Sequence, residues 1–95
     1  DNQNSVLAYI RKGHDKENDM VVVCNFTPKT IEKYDIGLPR KVKIKEVFNS
    51  DAKKYGGSGL SNTRQITAKK KKLHDKPYSA SIKIPPLGIV VFKML

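Results

Sequence analysis

Three short runs of this chain are apolar at successive positions, and that restricts what it can fold into. Residues 5–11 (SVLAYIR), 20–26 (MVVVCNF) and 87–94 (LGIVVFKM) place apolar side chains on both parities of a pleat. A strand with one wet face alternates strictly, whereas a strand covered on both faces reads as a near-continuous apolar run. Residues 78–84 (YSASIKI) do alternate, with Ala80, Ile82 and Ile84 on one face. Residues 41–48 start the same way, Val42 and Ile44 inward and Lys41, Lys43 and Lys45 outward, before the apolar parity passes to Val47. A β-bulge near Lys45 or Glu46 accounts for that switch. Residues 31–36 form a shorter candidate strand, ended by Gly37-Leu38-Pro39.

Turn formers separate these runs. Gly13 and the polar stretch 14–19 (HDKEND) suit a hairpin connection, Thr27-Pro28 stops the second run, and Pro85-Pro86 turns the chain before the last one. Residues 49–62 form a long loop rich in Asn, Ser, Asp and Gly. Ile66 is the only large apolar residue between Ser61 and Lys72, so that stretch reads as edge strand or loop. No segment carries a helical period. The pattern predicts one all-β domain over residues 1–95, an antiparallel sandwich or barrel of about 6–8 short strands. A free-standing sandwich gives each strand one wet face. The surplus of apolar faces therefore implies that a neighbour covers the outside of one sheet, with Leu7, Tyr9, Val22 and Val90 as the candidate packing residues.

Apolar residues make up 38% of the chain, enough for one core and too many for disorder. The single cysteine, Cys24, excludes an internal disulfide, and a reducing cytoplasmic setting fits best. No apolar run approaches the roughly 20 residues needed to span a membrane, so no membrane partner is expected. The start, DNQNS, has neither the basic end nor the apolar segment of a signal peptide and no initiator methionine, so the chain reads as a processed protein or an excised piece.

Four segments in register carry a resemblance. Phe48-Asn49-Ser50-Asp51, then Tyr55-Gly56-Gly57-Ser58-Gly59 and Asn62, resemble the "LNSD…YGGSG…N" segment of 1,4-α-glucan branching enzymes. Residues 6–11 (VLAYIR) resemble the first strand after that family's catalytic barrel. Residues 22–28 (VVCNFTP) and 34–39 (YDIGLP) resemble its next two pieces, and 84–87 (IPPL) with 90–92 (VVF) resemble the closing strands. The resemblance spans nearly the whole chain and implies a Greek-key-type sandwich of the α-amylase C-terminal domain type. It also implies that the carboxylates of the parent enzyme, which makes α-1,6 branches in glycogen biosynthesis, lie upstream in a (β/α)8 barrel. No catalytic residue of that family maps onto this chain. Two departures stand out: Lys43 and Ile44 where the family often carries tryptophan, and the basic stretch 67–74 (TAKKKKLH).

The remaining candidate chemistry favours structural readings. Most of the nine acids lie in polar loops and read as solvated. Asp51 reads as a turn acid bonding backbone N–H groups of its own loop. Together Asn49, Asp51, Tyr55, Gly56, Gly57, Gly59 and Asn62 read as a structural loop, with Tyr55 packed down as its anchor and glycine supplying positive φ. The glycine run lacks the Lys-Ser/Thr and the following helix of a phosphate loop. His14 and His74 each precede an aspartate, but Cys24 lies in an apolar strand, where a thiol is an inert small hydrophobe. No metal spacing is present, and neither metal nor cofactor is expected. The Asn25-Phe26-Thr27 sequon has no meaning in a cytoplasmic protein. The net charge of +10 and the Lys69–Lys72 run, with Arg64 and Lys76, could serve nucleic acid. Only Tyr78 stands nearby for stacking, so a solvated, aggregation-resistant edge is favoured and nucleic acid is not. The expected function is a non-catalytic domain that covers and stabilises the catalytic barrel. A module that binds α-glucan through exposed Tyr34, Tyr55 or Tyr78 is the alternative.

Overall fold

A computed structural model describes residues 6–13, 19–57, 59, 61–62 and 64–95. The expectations for Ser5, for His14 and the loop after it, and for Ser58 lie outside the described residues. Among those described are seven strands: β1 (Val6–Arg11), β2 (Met20–Asn25), β3 (Ile31–Leu38), β4 (Lys43–Asn49), β5 (Ile66–Thr67), β6 (Tyr78–Ile84) and β7 (Gly88–Met94). They form two antiparallel sheets, one of five strands in the order β1-β2-β7-β4-β5 and one of two, β3-β6. The fold is the expected all-β sandwich.

The pleat decides the core. Along β2 and β7 every second residue turns inward: Val21 and Val23 from one, Val90, Phe92 and Met94 from the other. Ile44 of β4 and Val6 of β1 join them, and the two-stranded sheet answers with Ile36, Leu38, Ala80, Ile82 and Ile84. Val90 is therefore a correction. It is 0% exposed and packs in the domain's own core, because it pairs with Val23 and Asn49 on the inward parity while Ile89 and Val91 point out.

β3 runs two residues past its expected end. Leu38 pairs with Tyr78 and is fully buried, so Gly37 does not break the strand. Gly37 is small for another reason: a Cβ there would lie 2.6 Å from the Leu73 carbonyl oxygen of the turn seated over β3. In β4 the register against β7 shifts between Glu46 and Phe48, leaving Val47 unpaired as the apolar parity changes. β5 is a two-residue edge strand around Ile66.

Asn25 and Asp19 fix the ends of β2. The Asn25 amide is buried and fully used: it donates to the carbonyls of Lys29 and Pro85, both at 2.9 Å, and its oxygen accepts from the Thr27 N–H and hydroxyl. The Asn25-Phe26-Thr27 motif is thus a structural corner. Asp19 departs from the solvated reading given to the loop acids. It is 4% exposed, accepts the Gly13 N–H at 3.1 Å and pairs with the Arg40 guanidinium at 3.1 Å. The Gly13 bond, then Arg40, hold its carboxyl below the ordinary value against the opposing effect of burial.

Two predictions follow from this packing. Leu38→Ala opens a cavity between the sheets and lowers unfolding free energy by about 2–5 kcal/mol in urea titrations. The depressed Asp19 group makes its contribution fully above the ordinary carboxylate range and loses it as pH falls through the folded-state value. Stability of the native chain therefore declines on acidification below about pH 4, and Asp19→Asn flattens that decline, read by thermal melts across pH.

Candidate functional site

The outward face of the five-stranded sheet is apolar across four strands in two of its rows, while a third row, Arg11, Met20, Lys93 and Lys45, is largely basic. Cross-strand pairing places Tyr9, Val22, Val91 and Phe48 in one row from β1 to β4, and Leu7, Cys24 and Ile89 in the next. Leu7 is 51% exposed, Tyr9 49%, and Phe48 and Ile89 both 41%; Val22, Cys24 and Val91 are half-buried between them. Three interstrand spacings of about 4.8 Å make the face roughly 14 Å wide before side chains are counted. Soluble domains rarely leave so continuous a dry surface open without a partner. The outside of the two-stranded sheet contrasts with it, carrying Lys33, Asp35, Ser81 and Lys83. Of the four residues singled out in the sequence for packing on a neighbour, Leu7, Tyr9 and Val22 lie on this face and Val90 does not.

The loop after β4 borders the face. Asn49 is buried, and its side-chain oxygen accepts the Asp51 N–H at 2.8 Å. The Asp51 carbonyl accepts the Gly59 N–H at 2.8 Å, and the Ala52 carbonyl accepts those of Tyr55 and Gly57. A short 3-10 turn, Lys53–Tyr55, ends at Gly56 in the left-handed region, as does Gly59. Gly57 has a different reason for lacking a side chain: a Cβ would meet the Asp51 carbonyl oxygen at 2.2 Å. Tyr55 does not pack down into the core. Its ring lies tilted on Phe48 at 5.7 Å, with the Lys54 ammonium 5.2 Å from its centroid, and so extends the apolar face.

Glu46 is the hub that sequence reading missed. Its Oε1 accepts from the Asn49 amide at 3.2 Å, the Asn62 N–H at 3.0 Å and the Asn62 amide at 3.1 Å. Asn62 in turn clamps β6, donating to the Lys83 carbonyl and accepting the Lys83 N–H, both at 2.9 Å. The sequence does hold a signal for it: Glu46 occupies the parity of Ile44, where an apolar residue is due, and a carboxylate there needs partners. Ser50 extends the ladder, exchanging bonds with Ile89 through its own N–H and its hydroxyl.

Elsewhere the residues considered for chemistry stand apart. Cys24 is on the outward face, His74 is exposed in the turn bridged by Leu73 and Lys76, and the lysines of residues 69–72 are exposed. Among the described residues, no cluster of three or more His, Cys, Asp or Glu could hold a metal ion. No helix among them is long and apolar enough to cross a membrane.

Two antiparallel sheets with an apolar core between them, and an apolar patch on the outside of the larger one, define an all-β sandwich module. The chain belongs to the family of alpha amylase C-terminal all-beta domains, whose model matches residues 1–94. It is 46% identical over 94 residues to the 1,4-alpha-glucan branching enzyme GlgB of Trichormus variabilis, covering 99% of this chain and 12% of that protein. The GlgB of Halothermothrix orenii is 43% identical over 95 residues, 100% of this chain and 15% of that protein. That of Bacillus subtilis is 41% identical over 91 residues, 96% and 14%. The chain thus spans about an eighth of the first of these relatives.

The glycine geometry yields a test of the loop. Gly57→Ala drives a methyl group into the Asp51 carbonyl and lowers stability by about 1–3 kcal/mol in chemical denaturation.

Proposed function

We propose that residues 1–95 form the C-terminal domain of a 1,4-α-glucan branching enzyme, and that its work is to pack the outward face of the five-stranded sheet against the catalytic barrel. The observation that carries this reading is the unbroken apolar surface from Leu7 and Tyr9 to Phe48 and Tyr55. Its relatives are several times longer than this chain, which supplies a neighbour of the right kind. Covering apolar surface contributes about 2.5 kcal/mol per 100 Å², so a face of a few hundred Å² is enough to tie two domains together. The domain contributes stability and position, and the glucan chemistry is left to the barrel. A cytoplasmic location fits the half-buried free thiol of Cys24.

Cys24 reports on the face directly, since it lies at its centre. In the full-length enzyme its alkylation by a maleimide, followed by peptide mass spectrometry, is expected to be slowed at least tenfold relative to the isolated chain. Equal rates in the two would refute the docking. Leu7→Lys separates the face from the core. The isolated chain keeps its melting temperature because Leu7 is exposed there. The full-length enzyme loses about 2–3 kcal/mol through an ammonium group buried against apolar surface. The chain alone is expected to leave amylose unbranched by iodine staining.

A further inference from the structure

The two apolar rows on the outside of the five-stranded sheet end at a basic one. Arg11 of β1, Met20 of β2, Lys93 of β7 and Lys45 of β4 are cross-strand neighbours, two residues along from Tyr9, Val22 and Val91. Lys43 follows two residues from Lys45 on the same parity. Arg11, Lys43 and Lys45 are exposed, and Lys93 is half-buried between its neighbours.

Nothing described on this face offsets those charges. Asp19 is buried, Glu32 and Asp35 belong to β3, Glu46 takes the inward parity of β4, and Asp51 and Asp75 lie in turns. Among the described residues the one salt bridge joins Arg40 to Asp19, away from the row. Lys45 and Lys93 stand directly opposite each other across β4 and β7, and like charges so placed weaken a sheet. The pair works against the fold of the chain that carries it, so its use lies outside that fold.

We infer that the surface covering the apolar rows carries a line of carboxylates that meets Arg11, Lys93 and Lys45, so that ion pairs fix the direction in which the domain sits on the barrel. This pairing rests on the docking proposed above and adds the chemistry of the other side. The basic row lies one pleat repeat, about 7 Å, from the row of Tyr9. A body that seals Tyr9, Val22 and Val91 from water therefore dehydrates the cations beside them as well. Cations dehydrated without partners oppose docking, and carboxylates facing them offset that cost. The shape of the row tells against a compact anion. Its charges are spread in a line of about 14 Å over four strands, whereas a phosphate is held by donors converging on one point. The opposite end of the face, at Leu7, Cys24 and Ile89, has no such charges. The apolar rows alone permit seating in either sense along the strands, and a charged row at one end excludes the reversed one.

Lysine footprinting of the full-length enzyme tests the row, with the isolated chain as reference. Acetylation by an N-hydroxysuccinimide ester, read by peptide mass spectrometry, is expected to be slowed at least about fivefold at Lys45 and Lys93 in the full-length enzyme and to be unchanged at Lys69–Lys72. Lys45→Glu carries opposite expectations in the two contexts. In the isolated chain it turns a like-charged pair into an opposed one, so the melting temperature holds or rises. In the full-length enzyme it faces carboxylates, and Cys24 is alkylated at least about fivefold faster than in the parent. The pairing is overturned if Lys45 and Lys93 react as fast in the full-length enzyme as in the isolated chain, or if Lys45→Glu leaves Cys24 as protected as before. Either result, with Cys24 protected in the parent enzyme, removes the ionic row and leaves the docking intact. Cys24 equally reactive in both contexts removes both. A single-stranded oligonucleotide or an anionic vesicle that shields Lys45 and Lys93 in the full-length enzyme shows the row open to another partner and also overturns the pairing.

Discussion

The larger sheet carries apolar side chains on both faces, and the smaller sheet can cover only one of them. Val21, Val23, Val90, Phe92 and Met94 turn toward β3 and β6 and disappear from solvent. The intervening residues of the same strands, Val22, Cys24, Ile89 and Val91, cannot follow them, because successive side chains of a strand leave on opposite sides. Burying one set commits the other to the outside. The outer face of the small sheet instead carries lysine, aspartate and serine. The asymmetry between the two outer faces is therefore a property of the design, and it gives the domain an orientation.

The rest of the structure maintains that sheet. The bulge at Val47 moves the apolar parity of β4 outward, so that Phe48 comes into the row of Tyr9, Val22 and Val91. It also brings Glu46 to a position where three donors from Asn49 and Asn62 meet one carboxylate oxygen. The loop of residues 49–62 is long, yet hydrogen bonds to Glu46, Lys83 and its own carbonyls tie it down at several points. Tyr55 then lies on Phe48 as the loop's contribution to the face. Asn25 and Asp19 perform the equivalent task at the two ends of β2, each satisfying buried backbone groups through a polar side chain.

Much of this was legible in the chain itself, and the exceptions have particular causes. The runs 20–26 and 87–94 announced strands, the turn formers announced their ends, and the change of parity after Ile44 announced a bulge. Gly37 was misread as a strand breaker because its smallness serves a neighbouring turn, and that turn is distant in sequence. Asp19 and Glu46 looked like ordinary loop and strand acids because their partners, Arg40 and Asn62, lie 21 and 16 residues away. Tyr55, expected to pack down and anchor its loop, lies on Phe48, a ring that the bulge brings to the surface. That Lys45 stands opposite Lys93 left no trace in the sequence, since nothing local sets one strand beside another.

What the sequence determined by itself was periodicity: which segments are strands, that some carry two apolar faces, and that the total exceeds what one sandwich can enclose. These follow from hydrophobic pattern and turn chemistry, which act over a few residues. What only the tertiary structure decided was direction. A two-sided run does not say which parity faces inward, so Val22 and Val90 look alike in the chain and end on opposite faces of one sheet. Register against neighbouring strands makes that choice, because a shift of one residue would exchange the two faces entirely.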